Sequence, residues 1–230
     1  PLELDRAVDL LEQIAAGLDA AHQLDVVHRD LKPANVMITR ARDGREVVKV
    51  VDFDIAKGIG ETDPEAENLT QAGWIIGTPL YMSPEQITAD DLDGRSDVYS
   101  LALIFFEMLT GRLPNTTSNT QKMMWERVNG DLLRLSEARS DRDFPPALQE
   151  ALDHALAPKP EDRTATAGEL AGEVREAVET PTEAGVPATV AAPGEDADAT
   201  VVGPGTIPAT EEAPAGAREQ VGETRAEAPR

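Results

Sequence analysis

Near the start of the chain the hydrophobic positions Leu10, Leu11, Ile14, Leu18 and Ala21 recur at helical spacing, predicting an amphipathic helix over roughly residues 5 to 22. Two short β-branched runs follow, Val36 to Ile38 and Val47 to Val51. The polar connection between them contains Asp43-Gly44, so the pair reads as a small hairpin. Ser96 to Leu109 is apolar nearly all round, the pattern of a helix buried on every side, and Gly111 and then Pro114 close it. Three further helices are expected at Asn119 to Val128, Pro146 to Ala157 and Thr166 to Val178, the last opened by a Thr166/Glu169 capping box. The fold class is α+β, mostly helical, with a minor β element. From about Thr180 the pattern stops: Pro, Gly, Ala, Thr and acids dominate and aromatics vanish. Residues 1–179 are therefore read as one domain and 180–230 as a disordered tail or linker that cannot bury enough apolar surface to offset its ordering entropy.

Composition narrows the function classes. Of 230 residues, 43 are acidic and 21 basic, a net charge of -22, which argues against a nucleic-acid partner because phosphate backbones are bound by surplus Lys and Arg. With no Cys there is no disulfide framework and no thiolate metal site. No apolar run approaches the ~18 residues needed to span a bilayer, and no signal peptide precedes the first helix. The expected location is the cytoplasm, or the cytoplasmic side of a membrane if a spanning helix follows Arg230.

The candidate chemistry lies in HRDLKPANVM, residues His28 to Met37. Asp30, Lys32 and Asn35, joined after the hairpin by Asp52, are the residue types that phosphoryl transfer from a nucleotide needs. A carboxylate orients the attacking hydroxyl and takes its proton, a cation neutralises the moving phosphoryl group, and hard oxygen ligands hold magnesium. The bland alternative is a polar turn with a capping Asp.

These residues are similar to the catalytic loop of the protein kinase family, in its Ser/Thr branch. Gly77-Thr78-Pro79-Leu80-Tyr81-Met82-Ser83-Pro84-Glu85 resembles the end of an activation segment, with Ser83 where the family has Ala. Ser96-Asp97-Val98-Tyr99-Ser100-Leu101 resembles the start of the family's buried central helix, and Arg163 stands at the family's partner for Glu85. The resemblance covers residues 1 to about 179 and is to bacterial-type Ser/Thr protein kinases. It implies the C-terminal lobe of a kinase fold, ATP with Mg2+ (Mn2+ as the alternative metal), and protein substrates with Ser or Thr acceptors. It implies catalytic roles for Asp30 and Lys32, nucleotide binding by Lys32, Asn35 and Asp52, and metal binding by Asn35 and Asp52. Thr78 becomes a substrate-positioning residue, and His28, Arg29, Phe53, Glu85, Asp97 and Arg163 structural ones. Because Arg29 precedes Asp30, a phosphate on the activation segment is expected, with Thr70 better placed than Thr62.

Departures from the family matter equally. No Gly-x-Gly-x-x-Gly occurs, and the lobe carrying the phosphate-gripping loop, its Lys and the partner Glu is absent from the chain. The chain, which starts at Pro1, reads as part of a longer kinase and is expected to be inactive alone. Asp52-Phe53-Asp54 replaces Asp-Phe-Gly. Asp54 lacks the backbone freedom of Gly and adds charge near the metal, which suggests lowered activity while the ligand Asp52 remains. Two alternatives follow: a pseudokinase or signalling scaffold, and a small-molecule phosphotransferase of the aminoglycoside kinase type. His22 and His154 read as surface or packing residues, and Trp74 as an anchor or a substrate contact. Thr189, Thr200, Thr206 and Thr210 in the tail are candidate sites for autophosphorylation and a phosphothreonine-binding partner.

Overall fold

The computed structural model describes residues 1–53 and 79–180. The sequence-based expectations at Asp54, Thr62, Thr70, Trp74, Thr78 and in the tail lie outside the described residues. Helix α1 (Leu4–His22) buries Val8, Leu11, Ile14, Ala15 and Leu18 along one stripe. Strands β1 (Val36–Arg40) and β2 (Glu46–Val50) form a two-stranded antiparallel sheet with Ile38 opposite Val48. The strands run further toward the turn than their β-branched cores predict, because Asp43 Oδ1 accepts from the Arg45 N–H and Gly44, at φ 87, closes the reversal. Among the described residues six helices follow: α2 (Pro84–Thr88), α3 (Gly94–Thr110), α4 (Thr120–Asn129), α5 (Leu135–Ala138), α6 (Pro146–Ala155) and α7 (Ala167–Glu179).

The core is organised round α3. Val98, Tyr99, Leu101, Ala102, Leu103, Phe105, Phe106 and Leu109 are all fully buried, which is why its sequence shows no polar face. It starts two residues earlier than its apolar run because the Asp93 carboxylate accepts from the Arg95 N–H, and it ends at Gly111, whose φ of 78 is left-handed. Helices α1, α6 and α7 pack against it, and α1 also carries the sheet. The Thr166/Glu169 box is formed, and Asp19 of α1 adds acceptors for the Ala167 and Gly168 N–H groups, joining the two ends of the core. Helix α2 has no hydrophobic period to announce it in five residues. It is set by Ser83 at its N-cap, Pro84 in its first turn and Gln86, whose side chain returns to the Ser83 N–H. Among the described residues no helix is long and apolar enough to cross a membrane.

Candidate active site

The loop between α1 and β1 is anchored from beneath by one carboxylate. Asp97, at the start of α3 and 1% exposed, accepts from the His28 N–H at 2.7 Å, from the Arg29 N–H at 3.0 Å and from His22 Nε2 at 2.7 Å. These bonds hold Arg29 at φ 65, a left-handed conformation that is uncommon for a residue with a Cβ and turns the chain so that Asp30 emerges exposed. Gln86 of α2 completes the anchorage by donating to the Arg29 carbonyl at 2.5 Å.

His28 links this loop to the end of the hairpin. Its Nε2 lies 2.9 Å from the Val51 carbonyl, which can only accept, so Nε2 carries the proton and Nδ1 is left to accept from the Asp30 N–H at 3.3 Å. Its ring packs on Phe53 with centroids 4.6 Å apart. Asn35, buried after the short turn Pro33–Asn35, is the second link. Its Nδ2 donates to the Asp30 carbonyl at 2.8 Å and to Asp30 Oδ2 at 3.4 Å, and its carbonyl accepts from the Val51 N–H at 2.9 Å. Asp52 follows directly, exposed, at φ 58. Lys32 Nζ sits 2.6 Å from Asp30 Oδ2.

Asp30, Lys32 and Asn35 are thereby joined in one hydrogen-bond network, and the Asn35 backbone carbonyl ties that network to Val51, the residue before Asp52. The donor set fits a hard divalent cation. With Nδ2 committed to Asp30, the Asn35 side-chain oxygen has no partner among the described residues, and neither does the Asp52 carboxylate. No group of three or more His, Asp or Glu able to hold a metal occurs among the described residues. A cation held by these two protein oxygens would take its remaining ligands from water and phosphate, as magnesium does beside a nucleotide. Next to Asn35, Met37 and Ile38 leave exposed apolar surface on β1.

Farther from the loop, Glu85 and Arg163 form a buried two-pronged ion pair, Nη1 to Oε1 at 2.8 Å and Nη2 to Oε2 at 3.0 Å, and Ser96 donates to Glu85 Oε1 at 2.6 Å. Burial pushes the Glu85 carboxyl up, but the Arg163 fork and the Ser96 hydroxyl outweigh it and hold the group below its ordinary value. His22, expected at the surface or in packing, bonds Asp97, and three side chains with no expected role bond backbone carbonyls: Gln86 that of Arg29, Ser100 that of Tyr81, and Arg127 those of Pro79 and Met82. Arg127 lies on the α4 stripe with Met123, four residues earlier, and that shared periodicity is the one signal that marks it as buried.

This arrangement has counterparts. The protein kinase domain family model matches residues 1–177. The serine/threonine-protein kinase pkn3 of Myxococcus xanthus is 37% identical over 175 residues, covering 76% of this chain and 32% of that protein. PknH of Mycobacterium tuberculosis is 39% identical over 181 residues, 79% of this chain and 27% of its own. Among solved structures, a mutant PknI kinase domain of M. tuberculosis aligns with a TM-score of 0.55 at 27% identity, over 77% of this chain and 56% of that one. The chain belongs to the protein kinase family. It spans about a third or less of the length of the curated relatives it matches.

Proposed function

We propose that the protein transfers the γ-phosphoryl group of ATP to serine and threonine hydroxyls of protein substrates. The observation that carries this reading is Asn35: its buried side chain donates to the Asp30 carbonyl and carboxylate, while its backbone carbonyl accepts from the N–H of Val51, the residue before Asp52. The proposed base and the proposed metal ligands are therefore built as one unit. The serine/threonine-protein kinases among the relatives support the same chemistry.

In this reading Asp30 accepts the proton of the acceptor hydroxyl and orients its oxygen for attack. Lys32, already within 2.6 Å of that carboxylate, places its charge where the transferred group gathers negative charge. Asn35 and Asp52 would hold Mg2+, or Mn2+, whose charge when bound offsets that of the phosphate oxygens. The exposed Met37 offers apolar contact to the purine ring. Thr78 positions the acceptor, phosphate on Thr70 orders its segment against Arg29, and threonines of the tail, once phosphorylated, recruit a phosphothreonine-binding partner. Dependence on ATP puts the domain in the cytoplasm or on the cytoplasmic face of a membrane.

The test is phosphorylation of Ser-, Thr- and Tyr-containing peptides by the protein expressed from its complete reading frame. Phosphoserine and phosphothreonine are expected, with transfer lowered about 100-fold or more in Asp30→Asn and in Asp52→Asn. Nucleotide binding without transfer would make the protein a pseudokinase scaffold. Phosphorylation of an aminoglycoside in place of any peptide would overturn the reading as well.

A further inference from the structure

Where the described chain resumes at Pro79, every backbone carbonyl through Met82 is taken by a side chain from α3 or α4. Arg127 Nη1 donates to the carbonyls of Pro79 at 3.1 Å and Met82 at 3.0 Å, and Nη2 donates to that of Leu80. Ser100 takes the remaining one, Tyr81, at 2.7 Å. The guanidinium is fully buried, and Nη2 also donates to Asn115 Oδ1 at 3.1 Å. Asn115 is in turn held by Glu126, whose carboxylate accepts from Asn115 Nδ2 and from the Thr116 N–H, both at 3.1 Å.

Among the described residues Arg127 has no carboxylate in ion-pair contact, although Glu126 precedes it. A buried guanidinium is ordinarily matched by a carboxylate, because the isolated charge is costly. Here the charge meets backbone dipoles and a side-chain amide oxygen instead. A planar guanidinium presents its donors in a fixed, spread fork that reaches several carbonyls of one short segment, whereas a Lys ammonium offers three donors on a single nitrogen. The fixed segment is also coupled to the catalytic loop: the Ser83 N–H donates to Gln86 Oε1 at 2.9 Å, and Gln86 Nε2 donates to the carbonyl of Arg29, the residue before Asp30. Residues 79–86 thus form a prestiffened wall beside Asp30, with Leu80, Tyr81 and Met82 partly exposed along it.

We propose that Arg127 is a positioning residue for the polypeptide substrate: by clamping the carbonyls of Pro79, Leu80 and Met82 it sets in advance the surface along which a peptide must lie to bring its hydroxyl to Asp30. This rests on the kinase reading above. A rigid wall lowers the ordering cost of peptide binding and contributes nothing to nucleotide binding, so the clamp acts on one substrate and not on the other.

The experiment uses the protein from the complete reading frame and compares wild type, Arg127→Lys and Arg127→Met. Losing hydrogen bonds from a charged donor to the wall should raise KM for a peptide substrate about tenfold in Arg127→Met and less in Arg127→Lys, with KM for ATP within about twofold of wild type. Amide exchange should accelerate across residues 80–86 and not across 28–37. A wild-type enzyme whose peptide KM is unmoved by Arg127→Met, or whose peptide and ATP constants worsen together, overturns the proposal alone. A wild-type protein that phosphorylates no peptide overturns the kinase reading itself and the substrate role with it. If Arg127→Met does not fold, Asn115→Ala removes one of the guanidinium's supports and should give the same selective rise at about threefold, and an unchanged peptide KM there is equally fatal.

Discussion

Asp97 concentrates more consequence than any other single side chain in the described site. It accepts from two backbone N–H groups of the catalytic loop and one imidazole, so replacing either oxygen by an amide NH2 sets a donor against a donor. Asp97→Asn should therefore cost about 1–3 kcal/mol of stability and release Arg29 from its left-handed conformation. The expected result is a lower melting temperature together with a kcat reduced about tenfold or more, while peptide KM changes little. His22→Ala removes only one donor and opens the freed Asp97 Oδ2 to water, so its cost should be near 1 kcal/mol. Equal losses in the two variants, measured by denaturant unfolding, would show that the imidazole and not the backbone bonds carries the anchorage. Residue types at fixed spacing single out Asp30, Lys32, Asn35 and Asp52 in the sequence, since the chemistry proposed for them acts through side chains. Gln86, Ser100 and Arg127 were not legible, because each bonds a backbone carbonyl, and a carbonyl leaves no trace in the choice of residue.

Helices show the same division. The long ones were readable because burial of one stripe or of a whole circumference imposes a period, as in α1 and α3. Their ends are less so: a glycine is a poor helix residue, yet Gly94 opens α3 under the Asp93 cap, and what lies against it requires a residue without a Cβ. A Cβ there would sit 2.8 Å from His22 Nδ1. Gly94→Ala should push the imidazole off Asp97 and destabilise the protein by about 1–3 kcal/mol, despite the better helix propensity of alanine. Gly172, within α7, has nothing within 4 Å of its added Cβ. Gly172→Ala should stabilise by about 0.5–1 kcal/mol, through propensity alone. Denaturant midpoints of the two variants should thus move in opposite directions, and a shared sign would show that space around the Cβ does not decide the outcome.

Across the whole molecule the Glu85–Arg163 pair joins parts 78 residues apart. Arg163 Nε donates to the Ala157 carbonyl at 3.0 Å, Nη1 to that of Arg95 at 2.8 Å and Nη2 to that of Pro158 at 3.1 Å, so the one guanidinium holds α2, the start of α3 and the α6–α7 connection. Removing one member leaves the other buried and uncompensated, and Glu85→Gln should cost about 3–5 kcal/mol near neutral pH, on the order of 10 °C in melting temperature. The pH dependence follows from the lowered carboxyl value. The unfolded chain takes up the proton first, near the ordinary value of 4.5. The stabilisation is therefore complete above about pH 4.5 and is lost as the pH falls through the lower folded value. Opposing this, a net charge of -22 at neutral pH makes the chain repel itself, and partial neutralisation toward pH 5 relieves that repulsion. Stability should accordingly rise slightly from pH 7 to about 5 and fall steeply below about 4.5. Glu85→Gln should keep the gentle rise, which comes from the whole surface, and lose part of the steep fall, so that the two melting curves converge in acid. Parallel curves down to pH 3 would show that other carboxylates held below their ordinary values, Glu126 and Asp93 among them, carry the acid sensitivity, and not the buried pair.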